Sequence, residues 1–200
     1  VIEEQGNMTI TDAVRNVVGV TQFASFGNAQ ESLSTRGYRG IPTLKNGVRV
    51  QSDFRGGGFL TDMQGVESIQ VLKGTAAITQ GIGNDLGSAG GVVNIATKTP
   101  KFVNAGEVSL RSGSWGQFRP TFDVQSVLNK DKTIAFRLNG AYERSDNYRP
   151  VVSKDRVYIN PSLEWRPDVK TTVNLELDYL NDNTTPVTST VNFANIGTEA

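Results

Sequence analysis

The chain contains no cysteine and no histidine, which removes thiolate nucleophiles, imidazole bases and the usual zinc ligands from its chemistry. Any metal would have to be held by carboxylates or by a ligand's own atoms. Asp53 with Asp62, or Glu143 with Asp146, could be paired as the acid and base of a hydrolase, but nothing spaces either pair distinctively and no enzymatic activity is expected. Gly81, Gly83 and Gly87 read G-x-G-x-x-x-G, one residue out of register with the dinucleotide fingerprint, and Gly74 belongs to no phosphate loop. No cofactor is expected. Recognition chemistry is offered by the loop Gln51 to Phe59, QSDFRGGGF, whose three consecutive glycines leave Phe54 and Arg55 as the prominent groups. It reads either as a plain flexible loop or as a binding tip with one aromatic face and one cation.

The elements that would position such groups fall into two textures. Lys+Arg and Asp+Glu number 20 each, so no basic field points to nucleic acid. No run approaches the roughly 20 apolar residues of a membrane-spanning helix, a fact that leaves a β-barrel open because its strands alternate. The first residues, VIEEQGNMTI, carry no basic or apolar leader and read as a trimmed start.

Up to Pro100 the pattern is that of a small α/β unit. Thr9-Ile10-Thr11-Asp12 has capping-box form, and Ile10, Ala13, Val14 and Val17 recur at helical spacing before Gly19. A strand is expected over SLSTR, Ser32 to Arg36, and a tight turn at Asn46-Gly47 within KNGVRV. Thr61 to Gly65 offers one helical turn, then Val66 to Lys73 and Val92 to Thr97 read as strands on either side of a glycine-broken segment.

After Pro100 the period becomes two. Val108 and Leu110 alternate with Glu107, Ser109 and Arg111, and Phe122 and Val124 alternate with Thr121, Asp123 and Gln125. Ile134, Phe136, Leu138 and Tyr142 then oppose Thr133, Arg137, Asn139 and Glu143, with Gly140 as the gap. Two more stretches, Val157 to Trp165 and Val173 to Tyr179, continue the pattern. About five strands of roughly eight to twelve residues suit a tilted bilayer crossing better than an ordinary soluble sheet. Short turns at 129–132 and 166–170 against a longer stretch at 145–153 suggest the two unlike rims of such a barrel, although Gly113 to Gly116 is short where a long loop is expected. Tyr142, Trp165 and Tyr179 read as aromatics near strand ends.

With those residues in place, the chain resembles the TonB-dependent outer-membrane receptors, and more narrowly their ferric-siderophore branch. The resemblance rests on TITDAVRNVVGV, STRGY, KNGVRV, VESIQVLKGTAAI and GSAGGVVNIATKTP in the family's order, covering nearly all of residues 9–100. GSWGQFRPTFDVQ, FRLNGAYERSDNYR and INPSLEWRPD resemble the opening barrel strands. Lys73-Gly74-Thr75 stands where family members usually have Arg-Gly-Pro, and Asn46-Gly47 where they often have Asp-Gly. Both changes keep the glycine that shapes the backbone.

The resemblance implies an α+β plug over residues 1–102, a small mixed sheet with short helices, and the first antiparallel strands of a transmembrane β-barrel over 103–200. It implies a fragment of a receptor in the outer membrane of a Gram-negative bacterium, with a ferric siderophore as cargo, iron bound through the chelator, outer-membrane lipid around the barrel, and a TonB-type energy-coupling protein acting on a segment absent from this sequence. Ligand contacts fall on Arg39, Phe54 and Arg55, and the basic residues that latch plug to barrel fall on Arg36 and Lys73, with acidic partners expected beyond residue 200. The alternatives are another cargo, such as cobalamin, haem or a glycan, or a soluble all-β carbohydrate-binding or adhesin-like module. The last two architectures differ on one point: a soluble module packs its apolar strand faces in a core, whereas a barrel turns Val108, Phe122, Phe136 and Leu175 to lipid.

Overall fold

A computed structural model describes residues 6, 8–24, 32–39, 41–51, 61–74 and 90–186. Helix α1, Ile10–Val14, starts where the Thr9 hydroxyl accepts from the Asp12 amide at 3.0 Å. It buries Ile10 and Val14. The helix is shorter than its spacing suggests: from Arg15 the chain tightens into turns, Val17 bonding back to Val14 and Val20 to Val17, and Gly19 turns left-handed at φ +78°. Strand β1 (Val20–Ala24) then pairs antiparallel with β2 (Ser32–Thr35), which pairs with β3 (Tyr38–Arg39).

The second sheet carries the order β5-β4-β7-β6, from β4 (Thr43–Lys45), β5 (Val48–Gln51), β6 (Val66–Lys73) and β7 (Gly91–Thr97). Its β4–β5 hairpin turns through Asn46 and Gly47, both at positive φ, as the tight hairpin turn requires. The 3-10 turn Met63–Gly65, capped by the Asp62 carboxylate on the Gln64 amide at 2.9 Å, leads into β6. Ile10, Val14, Val20, Leu33, Ile41, Met63, Val66, Val93 and Ile95 form one core beneath these elements. Gly91 is required where it stands: a Cβ there would lie 2.0 Å from the Leu72 carbonyl oxygen.

The third sheet consists of β8 (Ala105–Ser112), β9 (Phe118–Val127), β10 (Ile134–Asp146), β11 (Ser153–Trp165), β12 (Val173–Glu176) and β13 (Tyr179–Thr184). Neighbours are antiparallel, and β12 and β13 both pair with β11. They behave as one strand with a flaw opposite Pro161, which has no amide hydrogen to give. Leu177 still donates to the Pro161 carbonyl at 3.0 Å. The return bond is supplied instead by the Asn160 side chain, whose Nδ2 donates to the Leu177 carbonyl at 2.9 Å. The expected fifth strand therefore extends past Tyr179 to Thr184, and Tyr179 sits opposite Ile159 in mid-ladder rather than at a rim. Tyr142, paired with Val157, is also inside the ladder. Trp165 ends its strand as expected. Among the described residues the connection expected to be long is not, because β10 and β11 grow into it and leave 147–152, much like the turn 128–133; the expected longer stretch from Asn181 onward lies mostly outside the described residues.

The two faces of this sheet are reversed relative to a soluble protein. Arg137, Asn139 and Glu143 of β10, and Arg156, Asn160, Ser162 and Glu164 of β11, are buried, while Val108 is 79% exposed, Leu110 64% and Leu175 63%. Phe122 and Phe136 are only half-buried. Phe122 lies over Gly140, where a Cβ would come within 2.3 Å of its ring, so the gap in the outward stripe is filled from the neighbouring strand.

Candidate functional site

Among the described residues, the inner polar face meets the β4–β7 unit through three charged clusters. In the first, Asp62, which precedes the 3-10 turn, receives Arg119 of β9 in a two-pronged pair at 2.6 and 3.1 Å. Arg119 also reaches Glu143 at 2.9 Å, and Glu143 accepts from Lys154 at 3.0 Å. Arg156 stands 3.9 Å from Asp62 and pairs with Asp182 of β13. Asp62 is 1% exposed and Arg119 8%, so the pair is largely removed from water and each charge depends on its partners.

The second contact centres on Asp123. Lys98, just past β7, reaches it at 3.1 Å, and Arg137 grips it at 2.9 and 2.7 Å while also donating to the Thr99 carbonyl at 2.9 Å. The third uses the β4–β5 turn: Lys45 pairs with Asp178, and Asn46 and Thr97 both reach Glu176, at 3.0 and 2.8 Å. Glu176 is also held by Asn160 at 3.0 Å. At the rim, the Arg166 guanidinium lies over Phe102 at 4.2 Å, joining the linker to the wall.

Close fit accompanies the charges. The Tyr158 hydroxyl occupies the space a side chain at Gly65 would need, 1.9 Å from the ideal Cβ position. Tyr158 is 2% exposed.

Of the residues singled out from sequence, Arg36 and Lys73 are brought to one place. The Arg36 amide donates to the Gly19 carbonyl at 3.0 Å, Lys73 Nζ donates to the Val18 carbonyl, and Arg36 Nη1 passes 3.7 Å from the Cβ position of Gly74. Two cations thus flank one turn. The Arg39 backbone pairs with Ser34 in the β2–β3 hairpin; Phe54 and Arg55 lie outside the described residues, as do Asp53 and Gly81, Gly83 and Gly87. The carboxylates considered for hydrolysis regroup: Asp62 and Glu143 meet across Arg119 as ion-pair partners, and Asp146 is exposed at the end of β10. Asp62, Lys98, Arg119, Asp123 and Arg137 were not legible as a site. For Asp123 and Arg137 the strand alternation marked a polar face, and the same alternation results whether that face meets water or another folded unit.

A sheet whose outer face is apolar and whose inner face is a charged seat for a small α/β unit is the wall of a transmembrane β-barrel with its plug in place. Residues 1–92 match the family model described as TonB-dependent Receptor Plug Domain, and about nine-tenths of the chain is similar to siderophore receptors. The ferrioxamine B receptor of Salmonella typhimurium strain SL1344 is 29% identical over 185 residues, 90% of this chain and 26% of that protein. The open form of the ferric-catecholate import receptor Fiu from Escherichia coli K12 superposes with a TM-score of 0.76 at 27% identity, covering 92% of this chain and 26% of the other. The pyoverdine receptor FpvA of Pseudomonas aeruginosa PAO1, bound to pyoverdine, shares the fold with a TM-score of 0.77 at 23% identity, over 90% of this chain and 26% of that one. The chain spans about a quarter or less of the length of such relatives.

Proposed function

We propose that the receptor to which this chain belongs takes up a ferric siderophore across the outer membrane, driven by a TonB-type energy-coupling protein. The observation that carries the reading is the seating of the plug on a wall whose buried side is charged and whose open side is apolar. That arrangement suits a gate lodged in a lipid-embedded barrel and disfavours a soluble adhesin-like module, which would bury Val108 and Leu175. The cargo class is supported by relatives such as the ferrioxamine B receptor and Fiu. No covalent step is needed, and Asp62 and Glu143 are paired with Arg119.

On this reading plug gives way to wall at residues 102–103, just before β8 begins at Ala105. Arg39, Phe54 and Arg55 contact the chelate, guanidinium groups drawing its anionic oxygens and the ring packing its apolar frame. Arg36 and Lys73 form a cationic latch for carboxylates of later wall strands, a role favoured by their convergence on Val18-Gly19. Equilibrium binding of radio-iron-labelled ferrioxamine, ferripyoverdine and a ferric catecholate to the full-length receptor tests the cargo. Saturable binding of one of them, weakened roughly ten-fold or more by Arg39→Ala or Phe54→Ala, is expected for loss of a charge-assisted or stacking contact. Binding of cobalamin, haem or a glycan instead would replace the siderophore assignment, and unchanged affinity in the variants would remove those residues from the site.

A further inference from the structure

The first contact contains a feature that simple adhesion does not require. Three cations, Arg119, Lys154 and Arg156, face three carboxylates, of which only Asp62 belongs to the plug. Glu143 and Asp182 belong to the wall and already pair with the two cations that Asp62 faces, Glu143 with Arg119 and Asp182 with Arg156, and Glu143 holds Lys154 as well. Every cation at this contact therefore keeps a wall carboxylate when Asp62 leaves. The seat also sets like charges side by side, since Asp62 and Glu143 share one guanidinium, at 2.6 and 2.9 Å.

We infer that Glu143 and Asp182 are release residues: they compete with Asp62 for the wall cations and so lower the work of unseating the plug. Buried charge stripped of all partners is strongly unfavourable, and an isolated Asp62–Arg119 pair would hold the plug fast for that reason. With Glu143 present, departure of Asp62 exchanges one carboxylate for another on Arg119. Repulsion between Asp62 and Glu143 raises the energy of the seated state at the same time. In sequence, Asp62 follows the segment 51–59 that carries two of the proposed ligand contacts, Phe54 and Arg55. The inference rests on the reading that the plug moves relative to the wall.

The test is mechanical and needs no cargo: single-molecule pulling on the plug of the full-length receptor in a lipid bilayer, reading the rate of plug release at constant load. Asp62→Asn should release faster, whereas Glu143→Gln and Asp182→Asn should release more slowly, each by roughly three- to ten-fold for a partly screened charge contact. In the Asp62→Asn background, Glu143→Gln should lose its slowing effect, because the carboxylate it competes with is gone. Faster release in all three single variants would overturn the inference and reduce the cluster to a structural network. Equal slowing by Glu143→Gln with and without Asp62 would overturn it as well. Failure of cargo binding with these signs intact would strike only the cargo assignment.

Discussion

The Tyr158 hydroxyl stands in the volume that a side chain on Gly65 would occupy, 1.9 Å from its ideal Cβ. The wall thus reads the shape of the plug as well as its charge. Gly65 also receives the Lys98 amide on its carbonyl at 2.9 Å, which ties the 3-10 turn to the end of β7.

Gly65→Ala should loosen the plug by about 1–3 kcal/mol, the usual cost of overpacking. Hydrogen exchange across β6 and β7 of the full-length receptor checks this, with faster exchange expected. Tyr158→Ala should restore part of the protection in the Gly65→Ala background, because it removes the clashing ring.

Phe122→Ala should expose the backbone at Gly140 on the outward face. A loss of roughly 3–5 kcal/mol is typical for a buried ring, and the lower half of that span is expected since Phe122 is half-buried. Reversible refolding into detergent or lipid, followed by tryptophan fluorescence, measures it.

Asn160→Leu should leave the Leu177 carbonyl without its substitute donor opposite Pro161, at a loss of about 0.5–1.5 kcal/mol for one hydrogen bond. Pro161→Ala in the same background supplies the missing amide hydrogen and should recover most of it. The same refolding assay reads both.

Asp168 lies in the exposed turn between β11 and β12, and its carboxyl is held below the usual aspartate range by the Lys170 amide first, with Thr171 adding to it. A lowered folded pKa means that the turn is stabilised above the ordinary aspartate pKa and that this contribution is lost as pH falls through the lower, folded value. The stability difference between wild type and Asp168→Asn should therefore be present at neutral pH and disappear in strong acid, which a refolding series from pH 7 to pH 2 would follow.

The elements most legible in the sequence are those with local causes. Asn46-Gly47 specified its turn because few residues accept two successive positive φ angles, and Val66 to Lys73 read as a strand that the structure reproduces. The strand faces were legible too, since Val108 and Leu175 stand outward. What the pattern lacked was the meaning of the opposite face. Arg137 and Glu143 alternate like solvated residues, and it takes pairings distant in sequence, Arg119 with Asp62 and Lys98 with Asp123, to make their face an interface. The break at Leu177-Asp178 was hidden for a similar reason: it is imposed by Pro161 on the neighbouring strand. Tyr179 looked terminal in consequence.

On the proposed uptake function the plug seated on this wall shifts for cargo to pass, and a reversible tether between the two blocks that motion. Thr97 and Glu176, which meet at 2.8 Å through their side chains, can be replaced by cysteines in the full-length receptor, whose described chain has none of its own. They can then be joined in living cells by a short bis-methanethiosulfonate bridge. Uptake of radio-iron-labelled siderophore is predicted to stop on bridging, with surface binding retained, and to resume when a reductant removes the bridge. Uptake at the unbridged rate through a fully tethered receptor would mean that the plug does not move.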